Sequence, residues 1–195
     1  NLFLYDEETH QIKYHRNIMM NDGILRCFTE VISNAIDNFF RSRDFGQTPM
    51  TKLQVKYDSE TNMVEICNDG NHIPVEIHPE EKIYIPEMIF GHLRTSTNYN
   101  KDEKKIVGGK NGFGFKLVLI WSTYGRIETV DHIRGLKYIQ EFHNNLDKLD
   151  PPKITKVTTS KPYTKVTFKP DYQRFGIQGL TQDMVALLKK RVYDI

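Results

Sequence analysis

The sequence predicts an α+β fold, with helices packed on one face of a mixed, largely antiparallel sheet. Three observations lead there. The first half carries a long helical period, a hairpin signal and two shorter helical stretches. The second half carries β-rich runs over 126–131, 135–143, 153–159 and 163–169, with turn residues and no helix between them. Strand and helix never alternate regularly, which excludes the βαβ units of a doubly wound parallel sheet.

Residues 1–20 mix short apolar pieces (LFLY, IKYH) with turn residues and read as an edge strand or a loosely attached arm. From Gly23 to Ser42 the period is helical. Ile24, Leu25, Phe28, Val31, Ile32, Ala35, Ile36 and Phe39 recur at three- and four-residue steps behind Asp22 as N-cap. Residues 52–57 and 63–67 read as a hairpin around Asp58–Asn62, and NDGNHIP breaks its second strand. Pro86 to Arg94 reads as a short helix, 95–110 as a polar, mobile loop, and Phe115 to Ser122 as a buried helix. Pro151-Pro152 marks a turn between strands, and Thr181 to Tyr193 is a final amphipathic helix. Trp121 and the aromatics around it are expected in the core.

Composition narrows the function classes. The 195 residues suit one domain, and 38% hydrophobic content lies above the disordered regime. A net charge of +2 and a pI near 8.4 give no argument for direct nucleic-acid or acidic-lipid binding. Cys27 and Cys67 make no CxxC pair and read as reduced, buried thiols. No apolar run reaches the roughly 18 residues a membrane span needs, so no membrane partner is expected. The chain begins at Asn1 rather than Met, so a longer parent protein is expected.

Three short stretches carry chemistry. The first is Gly108 to Lys116, GGKNGFGFK. It is no Walker A loop, because Phe115 rather than Lys follows Gly114, and no dinucleotide fingerprint, because it follows a polar loop and lacks the third glycine. It remains either a phosphate cradle at a helix N-terminus, with Lys110 and Lys116 adding charge, or a flexible glycine-containing surface loop. The second is the stripe Glu30, Asn34, Asp37, Asn38 and Arg41 on one face of the first helix. It reads either as a solvated face or as hydrolytic chemistry, with Asn34 an oxygen ligand for Mg²⁺ and a carboxylate one turn away as base. The third is Asn68-Asp69-Gly70, either a plain β-turn or a place where an amide reads a base edge. His72, His78 and His92 lack metal-ligand spacing.

Taken in order, E-x-x-x-N-A-x-D-N, N-D-G-x-x-I-P, a polar lid and G-G-x-N-G-x-G resemble the GHKL (Bergerat) ATPase superfamily. Gyrase, heat-shock chaperone ATPases, histidine kinases and MutL mismatch-repair ATPases belong to it. Within it, FTEVISNAIDN (28–38), VEICNDGNHIPVEIH (64–78), the long stretch 81–123 and YTKVTFKPDYQRFG (163–176) are most similar to the ATPase domain of eukaryotic-type type IIA DNA topoisomerases. The resemblance implies a role for each matching position. Glu30 is the general base. Asn34 holds Mg²⁺ and meets the phosphates, while Asp37 and Asn38 line the nucleotide pocket. Asn68 reads the adenine edge, joined by Thr164 through water. Ser96, Thr97 and Asn98 contact ribose and phosphate. Gly109, Lys110, Asn111, Gly112, Phe113, Gly114, Phe115 and Lys116 wrap the triphosphate, and Lys101 to Lys105 belong to a solvated lid.

The same resemblance implies that 1–195 is one ATPase domain with a truncated N-terminal strap, and that the transducer, cleavage core and C-terminal domains lie outside it. ATP and Mg²⁺ are the expected cofactors, with slow turnover while the transducer lysine is absent. DNA is the expected partner of the full-length enzyme, contacted weakly by this segment, and the full-length protein is expected to dimerise at this gate on binding ATP. The location implied is nuclear for a cellular eukaryote, or the host nucleus, a cytoplasmic virus factory or the virion for a large DNA virus. Two alternatives stand beside this reading: a histidine-kinase-like phosphotransferase and a non-hydrolysing regulatory module. Three positions depart from the family pattern. His72 stands for a glycine, Thr97 for a serine and Phe115 for a small residue, and the first and last are expected to affect nucleotide affinity.

Overall fold

A computed structural model describes residues 2–15, 23, 51–70, 72–92, 118–158 and 161–193. Within them, β1 (Leu2–Asp6) and β2 (Gln11–His15) form a two-stranded hairpin. The main sheet contains β3 (Leu53–Asp58), β4 (Met63–Asn68), β5 (Ser122–Asp131), β6 (Leu136–His143), β7 (Lys148–Leu149), β8 (Lys153–Lys156) and β9 (Tyr163–Pro170). Among the described residues, two complete helices accompany it, α1 (Ile85–Gly91) and α2 (Gln182–Tyr193), and residues 118–120 are the end of another. Strand order is β3-β4-β9-β5-β6-β7, with β8 also on β6, and every described pairing is antiparallel.

Period-two alternation explains the two faces. Val64 and Ile66 on β4, Val166 and Phe168 on β9, Ile127 on β5 and Phe142 on β6 are buried toward one face. Ile85, Ile89 and Phe90 of α1, together with Val118, Leu119 and Leu188, belong to the same core. The opposite face carries Lys56, Glu65, Lys165, Arg126, Glu128 and Glu141. Helices therefore cover one side of an antiparallel sheet, the expected α+β arrangement. Among the described glycines, Gly125 leaves the least room for a Cβ. A Cβ there would lie 2.4 Å from the Leu119 Cδ2 atom, so only hydrogen fits.

Several boundaries move. The N-terminal arm is a hairpin, anchored by Leu4 at 2% exposure and by Tyr5 stacked on Tyr193 at 4.7 Å. The helix expected to reach Ser122 stops at Ile120, and β5 begins at Ser122, whose hydroxyl donates to the Val118 carbonyl at 2.6 Å. That cap leaves Trp121 outside the core at 36% exposure, against Phe175 and beneath the Arg174 guanidinium. α1 ends at Gly91 rather than Arg94, because His92 is already extended. β8 stops at Lys156, and the two-residue β7 is too short to announce itself by period. Thr181 caps α2 through its hydroxyl, which accepts the Met184 N–H at 3.2 Å. The long helix expected over Gly23–Ser42, apart from Gly23, and the lid over 95–110 lie outside the described residues.

Candidate functional site

The site grows from the end of the central strands. Asn68 is the last residue of β4, and its register partners are Leu53 on β3 and Thr164 on β9. Because β9 lies between β4 and β5, Thr164 also faces Thr129. Their hydroxyl oxygens are 2.9 Å apart, and the Thr129 hydroxyl also donates to the Tyr163 carbonyl at 3.2 Å. Thr164 is 7% exposed. A hydroxyl and an amide, both able to donate and accept, thus sit side by side on one face of adjoining strands.

The turn after Asn68 is braced twice. Its first brace is Asp69. The carboxylate accepts the Thr51 N–H at 2.8 Å, the Thr51 hydroxyl at 2.5 Å and the Lys52 N–H at 2.7 Å. Partial burial opposes ionisation there, yet these donors from Thr51 and Lys52 hold the carboxyl below the usual range. Asn68 Oδ1 itself accepts the Gly70 N–H at 3.3 Å, closing the turn.

The second brace is Asp131, at the far end of β5, whose side chain is 0% exposed. Its carboxylate accepts the Val75 N–H at 3.0 Å, the Ile133 and Arg134 N–H groups at 3.1 Å each, and the Arg134 Nη1 at 3.0 Å. Burial raises the cost of its charge, but the Val75 and Arg134 N–H groups, His72 and the Arg134 guanidinium outweigh it and keep the group ionised. Arg134 also pairs with Glu76, so the segment after Pro74 is tied at Val75 to Asp131 and at Glu76 to Arg134.

His72, in place of the family's glycine, is accommodated by this second brace. Its Nε2 lies 3.6 Å from Asp131 Oδ1, and its ring meets the His132 ring edge-on at 5.1 Å. Burial first, then His132 and Arg134, lower the basicity of His72 against the pull of Asp131. Its Nδ1 has no hydrogen-bond partner among the described residues. His78 caps a turn by accepting the Glu80 and Glu81 N–H groups at 3.3 Å, and His92 pairs with Glu87 at 3.0 Å.

Of the site residues expected from sequence, Asn68 and Thr164 are brought together. Glu30, Asn34, Asp37, Asn38, Ser96, Thr97, Asn98 and Gly109 through Lys116 lie outside the described residues, as does Cys27. Cys67, read as buried, is half-buried, with burial raising its thiol pKa against the nearby Lys165. Sequence reasoning passed over Asp69 and Asp131. Asp69 was visible inside the N-D-G turn, but its partners are set by hairpin pairing. Asp131 gave no local signal at all. No helix among the described residues is long and apolar enough to cross a membrane.

Known proteins share this sequence pattern and this fold. Residues 21–174 match the family described as histidine kinase-, DNA gyrase B-, and HSP90-like ATPase. DNA topoisomerase 2 of Candida glabrata and of Saccharomyces cerevisiae are each 46% identical to the chain over 193 residues, 99% of its length. DNA topoisomerase 2 of Arabidopsis thaliana is 46% identical over 194 residues. The chain spans only 13% of each of these relatives. Among solved structures, the ATPase region of Saccharomyces cerevisiae topoisomerase II superposes with a TM-score of 0.86 at 46% identity, over 99% of this chain and 50% of that one. The 43K ATPase domain of Thermus thermophilus gyrase B shares the fold, with a TM-score of 0.63 at 21% identity.

Proposed function

The chain belongs to the histidine kinase-, DNA gyrase B- and HSP90-like ATPase family, and from that premise we propose that it forms the ATP-binding and hydrolysing part of the N-gate of a type IIA DNA topoisomerase. The observation that carries this reading is the register of Asn68 against Thr164, with the Thr164 hydroxyl held by Thr129. An adenine edge presents a donor beside an acceptor. An amide offers the complementary pair, and a neighbouring hydroxyl can hold a bridging water. Asp69 ties the turn next to Asn68 to Thr51 and Lys52, and Asp131 holds Val75 farther along the same segment, so little ordering is needed when a base arrives.

The remaining roles complete the proposal. Glu30 takes the proton of the attacking water, and Asn34 holds Mg²⁺ beside the phosphates. Mg²⁺ supplies charge neutralisation at the triphosphate when bound. Asp37 and Asn38 line the pocket, and Ser96, Thr97 and Asn98 contact ribose and phosphate. Gly109, Lys110, Asn111, Gly112, Phe113, Gly114, Phe115 and Lys116 wrap the triphosphate with backbone N–H groups and lysine charge. In the whole protein, two such domains dimerise on ATP and close behind a captured DNA segment, and hydrolysis resets the gate. The full enzyme relaxes and decatenates DNA in the nucleus of a cellular eukaryote. This segment alone binds ATP and turns it over very slowly.

Calorimetry with a non-hydrolysable ATP analogue and Mg²⁺ tests the reading on the chain and on Asn34→Ala. Saturable 1:1 binding that Asn34→Ala weakens strongly supports it. Absence of binding by the parent chain, folded and at high analogue concentration, removes the nucleotide pocket and the gate reading with it.

A further inference from the structure

At the opposite end of the central strands lies a second group of polar side chains. Glu141 and His143 alternate with the buried Gln140 and Phe142, so both project from the polar face of β6. Asp150 follows β7, and its backbone N–H donates to the Glu141 carbonyl at 3.0 Å. That bond brings a third ligand over the first two. One ligand atom from each residue lies within 4.8 Å of the others. Asp150 Oδ2 is 2.8 Å from His143 Nε2.

We propose that Glu141, His143 and Asp150 form a binding site for a divalent transition-metal ion, with Zn²⁺ the best match. One imidazole and two carboxylates are a borderline-hard donor set that suits Zn²⁺ better than Ca²⁺ or Mg²⁺, and three protein ligands leave a fourth position to water. The ion takes the place of the proton between His143 Nε2 and Asp150. Two carboxylates already sit together here. Lys148 approaches Asp150 only at 3.8 Å, and Arg126, opposite Glu141 in register, is engaged by Glu128 at 2.8 Å, so a divalent ion between the two carboxylates relieves their repulsion.

The surrounding shell is that of a held site rather than a chance encounter. Tyr124 faces His143 across β5 and β6, and its hydroxyl donates to Glu141 Oε1 at 2.8 Å, orienting that carboxylate. The turn between β6 and β7 is pinned by Asn144 N–H to the Thr123 carbonyl and Asn145 N–H to the Ser122 carbonyl, 3.0 Å each. All three ligands therefore stand on fixed backbone. Tyr124 and Thr129 are five residues apart on β5, roughly 17 Å at the usual strand rise. The site is thus separate from the nucleotide end and from any Mg²⁺ that accompanies ATP.

Titration of the chain with ZnCl₂ by calorimetry, in a non-chelating buffer without nucleotide or Mg²⁺, tests the proposal. One saturable site is expected. His143→Ala and Asp150→Asn should each weaken it by at least about tenfold, and Tyr124→Phe by a smaller factor. His10→Ala, on the N-terminal hairpin, should leave it unchanged. With Co²⁺ as the probe, visible absorption bands should appear and be lost in Asp150→Asn, a substitution that keeps side-chain shape. If His143→Ala does not fold, Asp150→Asn decides. No saturable binding by the parent chain, or binding and Co²⁺ bands that Asp150→Asn leaves intact, overturns the proposal.

Discussion

Replacing Asp131 by alanine tests the idea that the segment following the Asn68 turn is held at Val75 by one buried carboxylate. The side chain is 0% exposed and accepts from the N–H groups of Val75, Ile133 and Arg134 and from the Arg134 guanidinium. Val75 is itself 3% exposed, so its N–H has no ready access to water once the carboxylate is gone. A buried donor left without a partner costs about 1–3 kcal/mol, and breaking a buried charge network by removing one side costs about 3–5 kcal/mol. Part of that loss is recovered because the Arg134 guanidinium, pairing also with Glu76, stays solvated. The expected destabilisation is therefore about 3–5 kcal/mol in urea unfolding, roughly 6–20 °C in Tm for a chain of this size. Asp131→Asn keeps an acceptor oxygen but turns an amide N–H₂ toward donors, so its loss should be about half as large. Affinity for the ATP analogue should fall alongside, because Val75 and the turn behind Asn68 come loose. A loss below about 1 kcal/mol for Asp131→Ala, with analogue affinity intact, would refute the argument that this carboxylate carries the turn.

Four further outcomes follow from the same geometry. Asn68→Ala should weaken analogue binding by about tenfold to a hundredfold, the worth of one or two buried hydrogen bonds, with the Asp69 brace and fold retained by circular dichroism. Gly125→Ala should destabilise the chain by about 1–3 kcal/mol in urea unfolding, because its Cβ would sit 2.4 Å from Leu119 Cδ2 in a packed interior; an unchanged midpoint would contradict that packing. Asp69 and Asp131 have folded-state pKa values below their unfolded values, so their stabilisation is full above the ordinary carboxylate pKa of about 3.9 and is lost as pH falls through the lowered values. Urea midpoints measured from pH 7 downward should fall in acid, and less steeply in a double Asp69→Asn, Asp131→Asn variant. Tyr124 carries the opposite sign: raised to about 12, it contributes stability below pH 10 that disappears as pH rises through 12, visible as a late step in tyrosinate absorbance.

Much of the fold was legible because the chain repeats its physics locally. The strand runs alternate apolar and polar residues, and β4, β5, β6 and β9 appear close to where period two placed them. What escaped was set by contacts between distant segments. Trp121 looks like a core residue in sequence, but the Ser122 hydroxyl caps the preceding helix and turns the chain into β5, leaving the indole at the surface. The N-terminal segment read as an edge strand or a loosely attached arm, and it is a hairpin anchored by Leu4 and by Tyr5 stacked on Tyr193 of α2, a contact that local pattern does not encode.

The same division holds for the site. The family could be read from the sequence alone, since it rests on side-chain types at short, fixed spacings such as N-D-G-x-x-I-P. Which residues surround Asn68 and Val75 was decided by tertiary structure. β9 inserts between β4 and β5, and only that order sets Thr164 beside Asn68 and Thr129. Asp131 reaches Val75 because strand β5 ends beneath the turn, and Asp150 reaches His143 because β7 folds back on β6. The physical reason is the range of each interaction. Spacing along a helix, strand or turn is fixed by bond geometry and is written into neighbouring residues. A buried carboxylate finds its donors only when burial and strand pairing have closed the chain around it.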